Sequence, residues 1–325
     1  MFQPLDWIIN EYLPQLLDSF VNPQKRVSLG YLLIALLIAF CWNAWLMKAQ
    51  SVKGLGKVWE SLFAAKIWFS NSAVSDYKLM FINRAIMMLI NPAMLSKLAV
   101  ATFFYFLFLD VFKNTPAIFE NWPVWTAPVL YTIFLFLFDD FSRFFIHRCL
   151  HRWPILWAFH KIHHTAETLT PFTVYRTHPV EGVIFSLRAT FVQAISISLF
   201  VSLFGKNIDL VEIFGVNILL FIFNITGSNL RHSHVSIRYP RFLEFILISP
   251  AQHQVHHSID PQHHDCNYGA AFAIWDYFGN SLQLSKESKN LRFGIIDKYK
   301  FNEHTLRGLY LNPFVEVRGI LSRLF

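Results

Sequence analysis

Residues 27–47 read VSLGYLLIALLIAFCWNAWLM, a run of 21 residues without a charge between Arg26 and Lys48. At about 1.5 Å per residue, a helix of that length matches a hydrocarbon core about 30 Å thick, so the run predicts a membrane span. It is too long and starts too late for a cleaved signal peptide, and no small-residue cleavage site follows it. Composition points the same way: of 325 residues, 54% are hydrophobic, 17% aromatic and 15% charged, and mean hydropathy is +0.37. An average soluble domain carries roughly 25% charged residues. A soluble monomer and a disordered chain are both excluded.

Further apolar runs at 98–112, 123–146, 183–204 and 208–227 predict additional spans, with breaks at Asn91-Pro92, Pro116 and Gly205-Lys206-Asn207. Residues 79–95 read either as part of a longer, kinked second span or as a shallow helix, because Asn83 and Arg84 interrupt the run. In the first 25 residues, Leu5, Ile8, Ile9, Tyr12, Leu13, Leu16, Leu17 and Phe20 recur at mostly helical spacing, as in an interfacial helix. The fold class expected is all-α: a multi-pass membrane helical bundle of four to five spans with a histidine-rich helical cap on the cytoplasmic side.

Charge sets the expected orientation. Lys48, Lys53, Lys57, Lys66, Lys78 and Arg84 follow the first span, and Arg148, Arg152, Lys161 and Arg176 follow the third, whereas the loop between the second and third has only Lys113. The positive-inside rule then places the N-terminus away from the cytoplasm and both basic segments on the cytoplasmic side. Arg188, inside the fourth run, is expected to snorkel or to face a cavity. The net charge of +7 forms no stripe, which excludes a nucleic-acid partner. Cys41, Cys149 and Cys266 lack C-x-x-C spacing and read as reduced thiols.

All 14 histidines lie after Ile146. They fall as His147-x3-His151, then His160-x2-His163-His164, then His178, then His232-x-His234, then His253-x2-His256-His257. Residues three and four apart share a helix face, so each cluster aims its imidazoles at one place, and these are metal-ligand spacings. Ser249-Pro250-Ala251-Gln252 reads as an N-cap, a proline at the first helical position and a Gln closing a capping box, just before His253. Eight to ten imidazoles exceed what one tetrahedral zinc takes, and two metals with four or five ligands each fit better. Ligand type alone does not select iron.

The ordered set HRCLH, HKIHH, HPVEG and HQVHH, followed by DCNYGAAFAIWDYFGN, resembles the fatty acid hydroxylase superfamily, also called the sterol desaturase family, over roughly residues 130 to 284. The resemblance implies an integral-membrane di-iron oxygenase that uses dioxygen to hydroxylate or desaturate a lipid. Carried over, the ligands are His147, His151, His160, His163, His164, His253, His256 and His257, with His232 and His234 both expected to join them and His234 slightly ahead. His178 is a further candidate for ligand or supporting donor. Ligating imidazoles need acceptors on their second nitrogen, and Asp140, Glu181, Asp265 and Asp276 are the candidate acids, with Arg176 expected to pair with one of them. Glu167 reads as a solvated loop charge, His263 and His264 as supporting or surface residues, and His304 as uninvolved.

Two iron ions are the expected cofactor, with zinc as the form a purified or inactive protein would carry. The chain shows no dinucleotide, haem or iron-sulfur motif, so a separate electron-transfer protein or reductase is the expected partner, beside the bilayer, a lipid and dioxygen. The membrane is the inner membrane in a bacterium or the endoplasmic reticulum in a eukaryote. Three regions follow: 1–122 with the interfacial helix and anchor spans, 123–284 as the fatty acid hydroxylase-like catalytic region, and 285–325 as a tail. In the tail, a helix capped at Asn312-Pro313, with Phe314, Val317, Ile320, Leu321 and Leu324 on its apolar side, is expected on the membrane surface. A metal transporter would carry its ligands near mid-membrane rather than at span ends; a metal-binding sensor would not need the boxes intact.

Overall fold

The computed structural model describes residues 4–49, 54–91, 94, 96–112, 117–205, 209–213, 215–287, 291–296 and 299–324. Pro92, Lys53, Lys113, Pro116, Lys206 and Asn207, used above as breaks and topology markers, lie outside them. The chain is helical, with one two-stranded hairpin among the described residues. After a short helical approach from Pro4, α1 (Leu13–Val21) leads to α2 (Leu29–Ala49), α3 (Leu55–Leu62), α4 (Asn71–Ile90) and α5 (Lys97–Val111). The second half holds α6 (Thr126–Arg152), α7 (Pro154–His164), α8 (Pro179–Phe204), the hairpin β1 (Glu212–Ile213) and β2 (Val216–Asn217), α9 (Ile218–Ile225), α10 (Pro250–His256) and α11 (Leu306–Leu324).

Among the described residues two helices, α2 and α8, are long and apolar enough to cross a membrane. The aromatic residues of α6 and α8 build the apolar layer between them: Tyr131 and Phe134 of α6 meet Phe200, which stacks on Phe204. Helix α5 packs along α8 through Phe104 against Phe191 and through a 2.7 Å hydrogen bond from Ser198 Oγ to the Ala101 carbonyl. With 15 residues it matches the expected run at 98–112 and reaches about 22 Å, less than a hydrocarbon core about 30 Å thick. Helix α6 reaches about 40 Å, but from its midpoint onward it carries Asp139, Asp140, Arg143 and Arg148. Arg188 of α8 lines the space between α6 and α8, the second of the two expected alternatives, and donates to Asp139 Oδ1 at 2.8 Å and to Ser142 Oγ at 2.6 Å.

The expected span at 208–227 is corrected. Its apolar residues are divided by a turn at Gly215, where φ is +72°, and by Asn217, whose side chain caps α9 by accepting from Leu219 N at 2.9 Å. Helix α9 then has only eight residues and ends before Gly227, at φ +120°. A helix of about 12 Å cannot cross a bilayer, so no helical hairpin over 183–227 joins the two groups of boxes. Residues 79–90 belong to α4, which docks on the turn Pro171–Tyr175 rather than forming a separate span.

The N-terminal flank of α2 is not held apart from the histidines, as the charge distribution led us to expect. Asn229 Nδ2 donates to the Arg26 carbonyl at 2.8 Å, and Trp42 Nε1, further along α2, donates to the Ser236 carbonyl at 3.1 Å. The segment carrying His232 therefore lies alongside α2. The tail helix is also corrected: α11 begins at Leu306 and passes through Pro313, with Leu309, Asn312 and Pro313 buried. Asn312 anchors the preceding loop through Phe301 N and O, and Phe314 packs on Phe159 of α7.

Candidate metal centre

Local sequence explains how each box is aimed. Helix α6 ends with His147 and His151 one turn apart; Trp153 is extended (φ −100°, ψ 117°), and Pro154 starts α7 at its first position, where its missing N–H costs nothing. Helix α7 then carries His160, His163 and His164 on its buried face. The predicted capping box of α10 is present in both directions: Ser249 Oγ accepts from Gln252 N at 3.1 Å, and Gln252 Oε1 accepts from Ser249 N at 2.9 Å. His253, His256 and His257 follow from it, all buried.

These elements bring nine imidazoles together in two groups. His147, His151, His160, His164 and His256 form one, and His163, His232, His253 and His257 the other, with the candidate ligand atoms of each group within 4.8 Å of one another. The groups are adjacent, the His164 and His257 rings stacking at 4.6 Å. The donors suit metal ions. His232 Nε2 lies 3.0 Å from His163 Nε2 and 2.9 Å from His253 Nε2, and a single imidazole proton on His232 serves only one of these contacts. In the other group, Nε2 of His151, His160, His164 and His256 is buried without a partner, a costly state unless a cation takes the lone pair.

The outward nitrogens are held as metal-binding imidazoles require. His160 Nδ1 donates to Glu181 Oε2 at 3.0 Å, His147 Nδ1 to the Tyr268 carbonyl at 2.8 Å, His163 Nδ1 to the Arg176 carbonyl at 3.2 Å and His256 Nδ1 to the Cys266 carbonyl at 2.6 Å. Burial pushes His160 and His163 down to about 3, with repulsion from His160 adding to the effect at His163. Both rings are therefore neutral, the form that ligates.

The tail motif around Asn267, Tyr268 and Gly269 supports the centre through its backbone. Asn267 adopts φ +52° and ties the loop to α10 and to the following strand-like segment, donating to the carbonyls of Gln252 and Gln283. Asp276 accepts from Tyr268 N at 2.8 Å and Gly269 N at 2.7 Å, which fixes the carbonyl that His147 uses. A Cβ on Gly269 would collide with the Phe272 carbonyl. Asp140 touches no histidine: it accepts from Ala271 N, Phe272 N and Trp275 Nε1 at 2.7, 3.0 and 2.9 Å, stapling this loop to α6.

Of the sequence candidates, Glu181 stands directly on a clustered histidine, whereas Asp140 and Asp276 act on the loop behind one. His234 is in neither group: the turn at 231–234, closed by Ser233 Oγ on the Leu230 carbonyl, sends its ring into an apolar cavity beside Leu36 and Phe172. His178 caps α8 instead, accepting from Val180 N at 3.2 Å and packing on Phe159, and burial lowers it to about 4. Asp265 accepts from the Tyr268 hydroxyl and faces Arg152 at 3.7 Å. Arg176 pairs with none of the four acids; its guanidinium binds Asp76 of α4 at 2.9 Å. His263 is buried against Ser258 Oγ, His264 lines a cavity, and His304 contacts Arg176 and Glu167. The sequence reading missed Asp76 and the carbonyls of Arg176, Cys266 and Tyr268, because a backbone acceptor has no residue signature.

Two cavities open on the centre, and a groove lies between the neighbouring helices. A cavity of about 210 Å³ exposes His147, His160, His163, His232 and His253 beside Arg231. A second, about 420 Å³, reaches His151, His164 and His256 from the Trp157 and Ile296 side. Between α6 and α8 lies an apolar groove of about 370 Å³, lined by Phe138, Phe145, Ile146, Ile184, Leu187 and Phe191.

Residues 132–281, which hold all nine clustered histidines, match the family model described as fatty acid hydroxylase. Over these residues the chain is similar to the fatty acid hydroxylase family. Among curated proteins, an alkylglycerol monooxygenase from Caenorhabditis elegans is 27% identical over 198 residues, covering 60% of this chain and 35% of the relative. An alkylglycerol monooxygenase from Danio rerio is 29% identical over 209 residues, covering 62% and 41%. A lathosterol oxidase from Mus musculus is 26% identical over 159 residues, covering 49% and 47%. The matches thus span less than half the length of these relatives. No solved structure matches the chain. In the matched region, the boxes read from the sequence and the clusters seen in the fold coincide, except that the middle segment contributes His232 and not His234.

Proposed function

We propose that this chain is a membrane-bound di-iron oxygenase that hydroxylates or desaturates a C–H bond of a lipid, using dioxygen and electrons from a separate protein or reductase. The observation that carries the reading is the pair of adjacent imidazole groups, five and four, opening on one cavity. All-imidazole sets suit several transition metals; the family match and the relatives' names favour iron and lipid oxidation. When bound, two iron ions would supply dioxygen activation and attack on an unactivated C–H bond.

The protein's own groups have three tasks in this reading. His147, His151, His160, His164 and His256 hold one ion and His163, His232, His253 and His257 the other. Glu181 and the carbonyls of Tyr268, Arg176 and Cys266 fix the rings and their tautomers. Phe138, Phe145 and Phe191 in the groove between α6 and α8 line a path for an alkyl chain from the bilayer, excluding water from it. The domain sits in the inner membrane of a bacterium or the endoplasmic reticulum of a eukaryote, with the histidines toward the cytoplasm.

Comparative lipidomics of cells expressing the wild-type chain or His256→Ala tests the assignment. The wild type is expected to produce a hydroxylated or desaturated lipid that the variant lacks. Identical lipid profiles at equal expression would overturn it.

A further inference from the structure

A second cavity lies beside the metal centre, and its charge is not used by the chemistry above. It occupies about 370 Å³ between α1, α4 and the link into α2, with Lys25, Arg26 and Arg84 among its lining residues and Met80 and Met87 on an apolar wall. Val174 and Thr177 line both this cavity and the one that exposes His160 and His163, so the two spaces share a wall there.

Its cations lack counterions. Arg26 donates to the Ser228 carbonyl, and Arg84 donates to Gln15 O and Oε1 at 3.1 Å, all neutral acceptors. Nε of both guanidinium groups is buried without a partner. Arg143 and Arg231, which line the neighbouring cavity, both repel Arg26. Arg143 is paired with Asp139, whereas Arg231 donates to the backbone carbonyls of Ser228 and Ala270, with the Asp140 carboxylate acting on it electrostatically. Partly buried guanidinium groups with open donors and, among the described residues, no carboxylate bonded to Arg26 or Arg84 call for an anion from outside the chain. Planar guanidinium forks match phosphate and carboxylate oxygens in particular.

The apolar wall and the location select the kind of anion. Helix α1 is amphipathic, with Leu13 and Leu17 exposed, as in a helix lying at a membrane interface. We propose that the Arg26–Arg84 cavity binds the anionic headgroup, most simply a phosphate, of the lipid being oxidised. The headgroup then sits against Val174 and Thr177, which the histidine-lined cavity shares, and the reacting carbon in that cavity. The substrate class is an acidic single-headgroup lipid attacked close to its polar end. This inference rests on the oxygenase reading for what happens to the lipid, but not for its binding.

The test uses the full chain in detergent, both metal-stripped and iron-loaded. Three probes are titrated by native mass spectrometry: a single-chain glycerolipid bearing a phosphate, the same lipid without the phosphate, and inorganic phosphate. The phosphate lipid is expected to bind at least about tenfold more tightly than the neutral lipid, the scale of a charge-assisted hydrogen bond. Arg26→Gln and Arg84→Gln should each remove that preference while leaving neutral-lipid binding unchanged. Arg84→Gln keeps the test usable if Arg26→Gln does not fold, because its contacts go only to Gln15. Equal affinity for the two lipids, or a preference that survives both variants, would overturn the proposal. So would inorganic phosphate binding as tightly as the phosphate lipid, which marks a free-anion site. A headgroup preference without any oxidised product from the iron-loaded protein leaves this site standing and removes the oxygenase reading; oxidised product without the preference does the reverse.

Discussion

Glu181 Oε2 and His160 Nδ1 lie 3.0 Å apart, both side chains buried, with Glu181 in the first turn of α8 and His160 near the end of α7. This contact joins the apolar helix that passes beside the groove to the group of five imidazoles. Glu181→Ala removes the acceptor that holds the ring and should weaken metal binding by about 10- to 100-fold, the usual cost of losing such a partner. Competition with a chelator of known affinity measures it, and an unchanged affinity would count against the orienting role.

The middle box separates two histidines that sequence cannot rank. His232 Nε2 meets His163 and His253, whereas His234 faces Leu36 and Phe172. His232→Ala should lower bound iron toward half by elemental analysis, since the ion of the four-imidazole group loses one of its ligands. His234→Ala should keep the full complement. The opposite pattern would restore the sequence preference for His234.

What the sequence made legible follows from helix periodicity. HRCLH, HKIHH and HQVHH each lie within or at the end of one helix, so a spacing of three or four residues already placed their rings on one face. The capping box at Ser249 and the break at Pro154 were equally local. His232, Asp76 and the break in the 208–227 run were not, although the runs at 27–47 and 183–204 do form the two helices long and apolar enough to cross a membrane. His232 is aimed by a turn, Asp76 meets Arg176 across 100 positions, and residues 208–227 are apolar enough for a span yet are cut by Gly215 and by the cap at Asn217. Apolar composition reports burial or lipid contact, but not whether the backbone stays helical through it.

Asp140 illustrates the same limit at the site. A carboxylate at the end of an apolar run suggested a partner for a histidine, but it accepts three N–H groups of the 271–275 segment instead. Asp140→Asn turns one oxygen into a donor facing donors, which should cost roughly 1–3 kcal/mol and lower the melting temperature by several degrees. Thermal unfolding of the detergent-solubilised protein reads this, and an unchanged midpoint would show that the staple is dispensable.

The buried rings also set a pH dependence for the metal-stripped protein. His160 and His163 are held at about 3 in the fold by burial, against about 6.5 in the unfolded chain. Between those values the unfolded chain binds more protons, so this contribution to stability is complete above about pH 6.5 and is lost as pH falls toward 3. Metal-stripped protein should therefore melt at a lower temperature near pH 5 than near pH 7.5. An equal or higher midpoint at the acid value would contradict neutral, buried imidazoles.

The most direct measurement is incubation of purified, iron-loaded protein with a lipid mixture, a chemical reductant and isotope-labelled dioxygen, followed by mass spectrometry of the lipids. The account predicts a lipid that carries one labelled oxygen atom or has lost two hydrogens, formed by the wild type and absent with His256→Ala. No oxidised lipid from protein holding two iron ions, or the same product from His256→Ala, would contradict it.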